Sequence, residues 1–572
     1  MQRNKQLRSQ WVAAISRVKA WLLSPLLLFY PLTLAASQNM VLVNAVVYQH
    51  PKANSVAIEN GVITQIGIAE ELLSSVDPSV KIIDLEQQFL LPGFIDNHNH
   101  VFEAASEAGG NCELSASASL SELRPYLEYC REQASSDGWL LGYGFSLEMI
   151  VEESSELSPI ALLDSVFPHR PVILMEQTSH SMWVNSPALK LAGITERTSG
   201  PQGGALLRDV QGNLNGVLLD SAGDAVMEIA WNSLNAQFEQ SYQGLLNGLS
   251  AAAQHGITTI GDGRLYWKRG WFEVWQHARE QGALTSRVLL RPWIYPDEGM
   301  KEQLEYLESI YTPEASPSDK LIVNQVKMYS DGIIINGTAK LLAPYKETYL
   351  PDHPKGLNYI PPGKMKAWLT ALDRLGYSAH IHAIGDGAVH ESLNAIEHVR
   401  HVGSDKPYTL THVELVDQQD IPRFSKLAVT ADFQVGSDYV AFQDHAWAKA
   451  FLGAVRAHRL MNLRVIFDTG ANLTLSSDWN VHDINPLVGI ANSIMMEDTG
   501  LPSVDAAIDA YTINAAKSLG IDGFTGSIAV GKSADLVVVE EDIRQLSPEA
   551  IAESAVTLTM TQGEIVFQWA NQ

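Results

Sequence analysis

The stretch Leu91-Pro92-Gly93-Phe94-Ile95-Asp96-Asn97-His98-Asn99-His100 decides the fold of this 572-residue chain. An apolar run behind a Pro-Gly turn predicts a buried β-strand, and this strand ends in His-x-His. Alternate residues of a strand point to the same side about 6–7 Å apart, so His98 and His100 can share one divalent ion. The pair alone is a weak signal, because two packed core histidines give the same pattern.

Downstream of this strand, short apolar runs alternate with amphipathic stretches, which indicates an α/β domain. Eight runs are strand candidates: Phe94–Asp96, Pro171–Glu176, Ile257–Gly261, Ile322–Tyr329, Ser378–Ile381, Tyr408–Leu415, Ala428–Phe433 and Asn472–Leu475. Eight strand–helix units predict a (β/α)8 barrel of the TIM type, here over residues 93–515. The span exceeds the roughly 250 residues of a typical barrel, so we expect insertions near residues 101–166 and 186–239.

Both ends of the chain are rich in short β runs. These are Val41–Tyr48, Ser55–Glu59, Val62–Ile66 and Lys81–Leu85 near the start, and Ala534–Val539, Val556–Met560 and Glu564–Phe567 near the end. Gly61 and Gly563 mark hairpin turns. We therefore expect residues 37–92 and 516–572 to meet in one small β domain.

Residues suited to metal binding recur where the later strand candidates end. They are His380 and His382, then His412 with Glu414, and finally Asp478. A single strand histidine is more often a core residue, but active sites of barrels collect at the C-terminal strand ends. The coincidence predicts a His-rich metal centre with one carboxylate, a donor set that suits Zn²⁺ or a similar ion.

Six motifs in this order resemble the amidohydrolase superfamily, and in detail its family 3, the YtcJ-like metal-dependent hydrolases. The similarity runs from about Met40 to the C-terminus, and its motifs are specific jointly rather than singly. They are Leu91–His100, Ser179–Ser186, Val326–Gly332, His382–Asp386, Ser477–Trp479 and Gly526–Val539. The resemblance implies a metal-holding barrel and a β-sandwich built from both chain ends.

The resemblance also implies a ligand set. His98 and His100 would hold the more buried ion, His382 and His412 a second one, and Asp478 would act as general base on the bridging water. Whether one or two ions bind stays open.

Two further residues have implied roles with open alternatives. Lys327 matches the position where relatives can carry a carbamylated lysine bridging two metals; the alternative is an ordinary ammonium facing Asp331. His180 would face the substrate and polarise its carbonyl, or else only pack beside the site.

The expected reaction is hydrolysis of an amide-like C–N bond that is not a peptide bond. A metal lowers the pKa of bound water from 15.7 to about 7, and Asp478 takes the water proton and passes it to the leaving nitrogen. The segment Ser330–Gly337 lacks the Gly-rich run common in relatives, so the small-molecule substrate cannot be carried over. Asn97 is a second departure, where relatives have a small residue.

Two other functions fit parts of the sequence. An exported binding or regulatory protein could use a retired hydrolase scaffold. A glycoside hydrolase could use Asp331 and Glu414 as its carboxylate pair, but the histidines would then have no role.

One motif matches the residue pattern of a phosphate-binding loop but not the structural context that such a loop needs. Residues Gly526–Ser533 fit G-x-x-x-x-G-K-S, but that loop needs a strand before it and a helix after it. Here the predicted strand Ala534–Val539 comes afterwards. We therefore expect a turn and no nucleotide site.

The charge distribution indicates an exported acidic protein. Residues 1–36 hold five bases and no acid, and Trp21–Ala35 is an apolar run with Thr33-Leu34-Ala35 as a cleavage site, so we expect a signal peptide. An uncleaved N-terminal anchor is the alternative and would be the one membrane contact. The remaining chain has 34 bases against 65 acids, a net charge of −31, which argues against nucleic acid as partner.

The expected location is the periplasm or the exterior of the cell. Cys112 and Cys130 are the only cysteines and can pair in such a compartment or remain two buried thiols. Homo-oligomerisation stays open.

Overall fold

The computed structural model describes residues 39–569, apart from residues 78, 106–111, 135–137, 154–156, 235–236, 438–439, 441 and 443–444. The expected export segment, residues 1–36, lies outside the described residues. Among the described helices, none is both long and apolar enough to cross a membrane.

Two parallel sheets form the centre of the chain. The first contains, in spatial order, Leu321–Ile322, Arg287–Leu289, Ile257–Asp262 and Phe94–Asn99. The second contains Gln325–Tyr329, Ser378–Ala383, Tyr408–His412, Val429–Gln434 and Leu473–Ser476. All neighbours within both sheets run parallel, so their C-terminal ends lie along one edge.

Backbone hydrogen bonds join the two parallel sheets at both of their borders. At one border Lys327 N donates to the Pro292 carbonyl at 3.1 Å, and Ile294 N donates to the Lys327 carbonyl at 3.0 Å. At the other, Asp478 N donates to the His98 carbonyl at 2.8 Å, and His100 N donates to the Trp479 carbonyl at 2.9 Å. The second border brings the residues after the last strand against the first His-x-His.

A six-stranded mixed sheet lies in the segment between the first two parallel strands. Its order is Gly204–Arg208, Leu214–Asp220, Ser181–Val184, Val172–Glu176, Leu140–Phe145 and Cys112–Glu113. The predicted barrel strand Pro171–Glu176 belongs to this sheet, so its assignment to the parallel set is wrong. The short strand Arg287–Leu289, which the sequence pattern missed, stands in the parallel set instead. An apolar run indicates that a strand is buried, but not which strands it pairs with.

A disulfide joins the edge of the mixed sheet to a helix. Cys112 lies in the edge strand, Cys130 lies in helix Arg124–Gln133, and their Cα atoms are 5.2 Å apart. The pairing left open by the sequence is therefore present.

The strands at both chain ends agree with the predicted runs except at Val41–Tyr48, which divides into Met40–Val43 and Val46–Val47 in two different sheets. Met40–Val43, Ser55–Glu59, Val62–Gly67 and Lys81–Asp84 form a four-stranded sheet with a hairpin at Gly61. A five-stranded sheet has the order Val46–Val47, Phe89–Pro92, Leu536–Val539, Val556–Thr561 and Glu564–Gln568. In this second sheet, strands from the two ends of the chain are direct neighbours.

Helices connect the strands and cover the parallel sheets. The α-helices are Ala69–Ser75, Val101–Ala105, Arg124–Gln133, Leu147–Glu153, Pro159–Val166, Ser186–Leu191, Ser221–Asn232, Gln237–Gln254, Trp271–Glu280, Met300–Ile310, Pro362–Leu375, Asp386–His401, Ile421–Lys426, Ala448–Leu452, Ala454–Ala457, Leu463–Phe467, Pro486–Met495, Val504–Ala510, Ile513–Leu519 and Pro548–Glu553. Short 3-10 turns occur at Leu120–Glu122, Trp267–Arg269, Glu497–Thr499 and Ile543–Gln545. One large apolar cluster, which includes Ile260, Leu369 and Leu410, fills the space between these helices and the sheets.

Candidate metal centre

The two histidines of the first strand meet the carboxylate that follows the last strand. His98 Nε2 lies 3.2 Å from His100 Nε2, and the two atoms lie 3.3 and 3.1 Å from Asp478 Oδ1. All three residues are buried. The border hydrogen bonds between residues 98–100 and 478–479 hold the three donor atoms together.

This spacing fits a tetrahedral transition metal. Ligand atoms at about 2.0–2.2 Å from a tetrahedral Zn²⁺ lie about 3.3 Å from one another. The three measured separations are 3.1–3.3 Å, and their donors are two imidazoles and one carboxylate. The group therefore fits the ion in both spacing and donor chemistry.

A second pair of imidazoles lies beside the first group. The rings of His382 and His412 are 4.4 Å apart, and His412 Nδ1 is 4.0 Å from Asp478 Oδ2. His382 Nδ1 lies 3.2 Å from Asp331 Oδ1, while its Nε2 is buried without a hydrogen-bond partner among the described residues. A buried, unpartnered nitrogen on an oriented ring is what a metal ligand needs.

Lys327 lies at the bottom of the same group. Its Nζ is 3.3 Å from His98 Nδ1, and burial holds the pKa of its amine well below the ordinary value. Asp331 does not face it: the oxygens of Asp331 accept from Lys340 N, Ile384 N and Gly385 N. The alternative of an ammonium facing Asp331 is therefore wrong.

Burial keeps three of the histidines neutral. It holds the pKa of His98 below the ordinary value, with help from Lys327, and it does the same for His382 and His412. Neutral imidazoles keep the lone pairs that a metal needs. Burial works to raise the pKa of Asp478, but hydrogen bonds from His100 and His98 outweigh it and hold that pKa well below the ordinary value.

Glu103 and Arg264 lie beside the His98–His100–Asp478 group, and the sequence analysis predicted neither of them. Glu103 Oε2 lies 2.6 Å from His100 Nδ1, and Arg264 reaches Glu103 Oε1 at 3.2 Å. Arg264 also donates to the Tyr329 hydroxyl at 3.2 Å. The spacing of three residues between His100 and Glu103, at the start of helix Val101–Ala105, is a signal that could have indicated the pairing.

A cavity opens above these groups. It is small, and its walls include His100, His180, Arg264, His412 and Asp478. His180 reaches it from the mixed sheet, and its ring stacks 5.7 Å from Tyr329. The structure thus brings all seven predicted residues together: His98, His100, His180, Lys327, His382, His412 and Asp478.

Several sequence features lie elsewhere. Asn97 points away from the metal group, donating to Ser518 Oγ at 2.9 Å and accepting from Arg291 at 2.8 Å. Neither Asp331 nor Glu414 is among the described residues that line the cavity. In the Gly526–Ser533 segment, Lys532 Nζ donates to the Thr525 carbonyl at 3.0 Å, and strand Leu536–Val539 follows.

The sequence of the chain matches one known protein family over most of its length. The profile of the Amidohydrolase family (Amidohydro_3) matches residues 81–567, which is most of the chain. The chain belongs to this amidohydrolase family. The resemblance read from the motifs is thereby confirmed.

Individual relatives of this amidohydrolase are distant in sequence. It is 28% identical to the protein LONG AFTER FAR-RED 3 of Arabidopsis thaliana over 86% of this chain and 84% of that one. It is 25% identical to YtcJ of Bacillus subtilis over 90% and 96% of the two chains. It is also 25% identical to the N-substituted formamide deformylase of Arthrobacter pascens, over 90% and 95%.

A solved structure supports the fold. The crystal structure of an uncharacterized metal-dependent hydrolase from Pyrococcus horikoshii OT3 matches with a TM-score of 0.68 at 19% identity. The match covers 90% of this chain and 99% of that one. The amidohydrolase thus shares the mixed α/β fold of its structural relatives.

Proposed function

We propose that this amidohydrolase is a metal-dependent hydrolase that cleaves a non-peptide, amide-like C–N bond in a small molecule. The observation that carries the proposal is the His98–His100–Asp478 group, whose donor atoms have the spacing of ligands around one ion. The printed name of the Arthrobacter relative, an N-substituted formamide deformylase, describes a reaction of this class. The small polar cavity suits a compact acyl group.

The proposed ligands fall into two groups. His98, His100 and Asp478 hold one ion, and His382 and His412 hold a second. Zinc is the proposed metal, because imidazole and carboxylate donors suit it. A bound ion supplies Lewis acidity, lowering the pKa of water and polarising a carbonyl.

The protein's own residues arrange the reaction around that centre. Asp478 lies at the wall of the cavity, where its carboxylate can take the proton that water releases. His180 faces the same space and can hydrogen-bond the substrate carbonyl.

Carbamylation of Lys327 belongs to the proposal. Carbon dioxide reacts with a neutral amine, and burial disfavours the ammonium form of Lys327. The product is an anionic oxygen ligand, which an unmodified lysine cannot provide. Its position beside His98 supports a bridging role between the two groups.

The architecture we propose is a closed (β/α)8 barrel with a β-sandwich. Backbone bonds at both borders of the parallel sheets support closure. Leu42 and Ile58 of one end sheet share a buried cluster with Leu536 and Met560 of the other, which supports a sandwich. We keep the boundaries at residues 37–92, 93–515 and 516–572.

We also propose export to the periplasm or the cell exterior. Residues 1–36 would serve as signal peptide, and the Cys112–Cys130 disulfide supports an oxidising compartment. The acidic surface argues against nucleic acid as partner, and membrane contact would be limited to an uncleaved N-terminal segment. A homo-oligomer is compatible with this proposal.

Elemental analysis of the purified mature protein tests the metal site. We expect one to two equivalents of zinc or a similar metal, and loss of metal in the His98→Ala/His100→Ala variant. The matched control is His398→Ala/His401→Ala, two exposed histidines on helix Asp386–His401, which should keep full metal content. A screen of N-acyl and N-formyl amides with the metal-loaded protein then tests the reaction.

The outcomes separate the alternatives. No metal in the wild type after reconstitution with zinc and bicarbonate would overturn the proposal and favour a non-catalytic binding protein or a glycosidase. Metal without turnover of any amide would retain the metal site and overturn the reaction. A content near two metal ions per protein molecule, which falls when bicarbonate is removed, would favour carbamylated Lys327.

A further inference from the structure

We propose that Arg264 binds a carboxylate group of the substrate, so that the molecules cleaved are small amides with a carboxylate close to the scissile C–N bond. The inference rests on the proposed function and deepens it, because it names the chemical class of the substrate. It changes neither the proposed metal ligands nor the proposed role of Asp478.

The backbone places Arg264 beside the first group of metal ligands. Arg264 is the second residue after strand Ile257–Asp262, at the edge where the C-terminal ends of the parallel strands lie. Ligands of α/β proteins bind outside these carboxyl ends. Between the strand and Arg264, the chain passes so close to His100 that a Cβ atom at Gly263 would lie 2.7 Å from His100 Nε2. Arg264 is thus next in sequence to the residue that touches the ligand atom.

Aromatic rings and two hydrogen bonds fix the guanidinium group of Arg264. Its central carbon lies 4.6 Å from the ring centre of Tyr266 and 5.6 Å from that of Tyr329. Nη1 donates to the Tyr329 hydroxyl at 3.2 Å, and Nη2 donates to Glu103 Oε1 at 3.2 Å. A group held in this way loses little further conformational freedom when an anion binds to it.

The guanidinium group keeps donors that no described protein acceptor uses. An arginine side chain has N–H donors on Nε and on both Nη atoms. Nε is buried without a hydrogen-bond partner among the described residues, and Glu103 is the one described carboxylate within 4 Å of the group. Glu103 also faces His100 Nδ1 at 2.6 Å, so its charge is shared between two partners. Buried donors are rarely left unpaired, so the spare N–H groups indicate a ligand.

Arg264 lines the same small cavity as the proposed metal ligands His100, His412 and Asp478. Among the described residues that line this cavity, it is the one with a permanent positive charge. Because the cavity is small, a molecule that brings its amide carbon to the His98–His100–Asp478 group lies within reach of Arg264. A negative group of that molecule finds its charge partner there.

A carboxylate is the group that matches these donors best. The planar guanidinium group presents parallel N–H bonds, and a carboxylate accepts two of them with its two oxygens. A neutral hydroxyl group offers a single oxygen and no charge. The size of the cavity requires that the carboxylate and the amide lie close together in the molecule. N-acyl amino acids and the half-amides of dicarboxylic acids both meet this requirement.

Binding of ketones that cannot be cleaved tests the carboxylate site without turnover. Levulinate has the shape of N-acetylglycine with a methylene group in place of the amide nitrogen, and acetopropyl alcohol is its neutral counterpart. We expect calorimetry at equal zinc content to show that Arg264→Gln weakens the binding of levulinate by about 10- to 100-fold, the loss typical of hydrogen bonds to a charged group. The binding of the alcohol should change little.

Two further variants make the binding result specific. Arg264→Lys keeps a positive charge beside Glu103 but lacks the planar pair of donors, so it should recover only part of the affinity for levulinate. Arg269→Gln is the matched control. The Arg269 guanidinium group is buried 3.6 Å from the centre of the same Tyr266 ring, but Arg269 is not among the described residues that line the cavity. This variant should bind levulinate and the alcohol in the wild-type ratio.

Cleavable amides then locate the carboxylate. N-acetylglycine carries it on the amine side, N-methylmalonamate carries it on the acyl side, and N-acetylethanolamine carries none. We expect Arg264→Gln to lower kcat/KM by about 10- to 100-fold for at least one anionic amide and only a few-fold for the neutral one. The anionic amide with the larger loss identifies the side of the scissile bond that faces Arg264.

Equal losses for anionic and neutral compounds would overturn the proposal, because a residue that only supports Glu103 affects every compound alike. If Arg264→Gln does not fold, an unchanged affinity of Arg264→Lys for levulinate overturns it. If the metal-loaded wild type cleaves no amide, the proposed function fails separately. Levulinate binding that depends on Arg264 would then still support the carboxylate site, and binding without that dependence would overturn it.

Discussion

Three imidazoles around the candidate metal centre have a carboxylate within 3.2 Å of Nδ1. Glu103 faces His100, Asp331 faces His382 and Asp220 faces His180. A partner at Nδ1 fixes the tautomer and turns Nε2 toward the cavity or the neighbouring ligands. The histidines themselves could be predicted from strand ends. Asp220 could not, because its contact depends on a strand register that no local pattern specifies.

Glu103 should affect metal affinity without being a ligand. Glu103→Gln keeps the shape but weakens the acceptor for His100 Nδ1, and such partners typically contribute 10–100-fold to metal affinity. We expect zinc to bind about tenfold more weakly or worse, as measured by competition with a chelator. Glu128→Gln, which removes an exposed acid on helix Arg124–Gln133, is the control. Equal zinc affinity in both variants would contradict this role.

Glu176 should make stability depend on pH. Burial raises the pKa of its carboxyl from 4.5 to about 7, so the folded state holds this proton more tightly than the unfolded chain. The stabilising contribution is complete below about pH 4.5 and is lost as pH rises through about 7. Glu176→Gln cannot ionise, so we expect it to gain about 2 kcal/mol relative to wild type between pH 5 and pH 8.

The measurement for Glu176 is the melting temperature of both proteins at the two pH values. Relative to the wild type, the melting temperature of Glu176→Gln should be higher at pH 8 than at pH 5. Glu128→Gln should show no such change with pH. Parallel curves for Glu176→Gln and wild type would rule out the raised pKa.

At the scale of elements, the hydrophobic patterns of the sequence located the strands better than they predicted which strands pair with one another. Seven of the eight central candidates and all but one of the end runs correspond to single observed strands, because alternation and apolar runs report burial locally. The exception at the ends is Val41–Tyr48, which contains two short strands. The Ile322–Tyr329 candidate contains two strands, which lie in different parallel sheets. Pro171–Glu176 was assigned to the wrong sheet, since its apolar run suits any buried strand. Arg287–Leu289 is too short to give a pattern.

The junction before the first His-x-His strand should tolerate no side chain. A Cβ at Gly93 would lie 2.2 Å from Thr258 Oγ1 on the neighbouring strand, so Gly93→Ala must push strands Phe94–Asn99 and Ile257–Asp262 apart. We expect a loss of about 1–3 kcal/mol, seen as a lower melting temperature. Gly363→Ala, where a Cβ meets nothing within 4 Å, should be neutral or stabilising. Equal behaviour of the two variants would show that the junction has room.

At the scale of the whole molecule, the proposed export and the Cys112–Cys130 disulfide make linked predictions. Residues 1–36 fused to a reporter that is active only in the periplasm should give activity, and mass spectrometry of the mature protein should find that the N-terminal segment is removed at the Thr33-Leu34-Ala35 site or one residue beyond it. The exported protein should show no free thiol, because Cys112 and Cys130 are paired. Replacing Leu27 and Leu28 by arginine should abolish export by breaking the apolar run. An exported chain that retains residue 1 would indicate an anchor instead.

Anomalous X-ray diffraction at the zinc edge, from crystals of the zinc-loaded protein, tests the central claim most directly. We predict a peak about 2.0–2.2 Å from His98 Nε2, His100 Nε2 and an Asp478 oxygen. A second peak beside His382 and His412 would favour the two-ion form. A peak at other residues, or none in this group after zinc loading, would contradict the proposed metal centre.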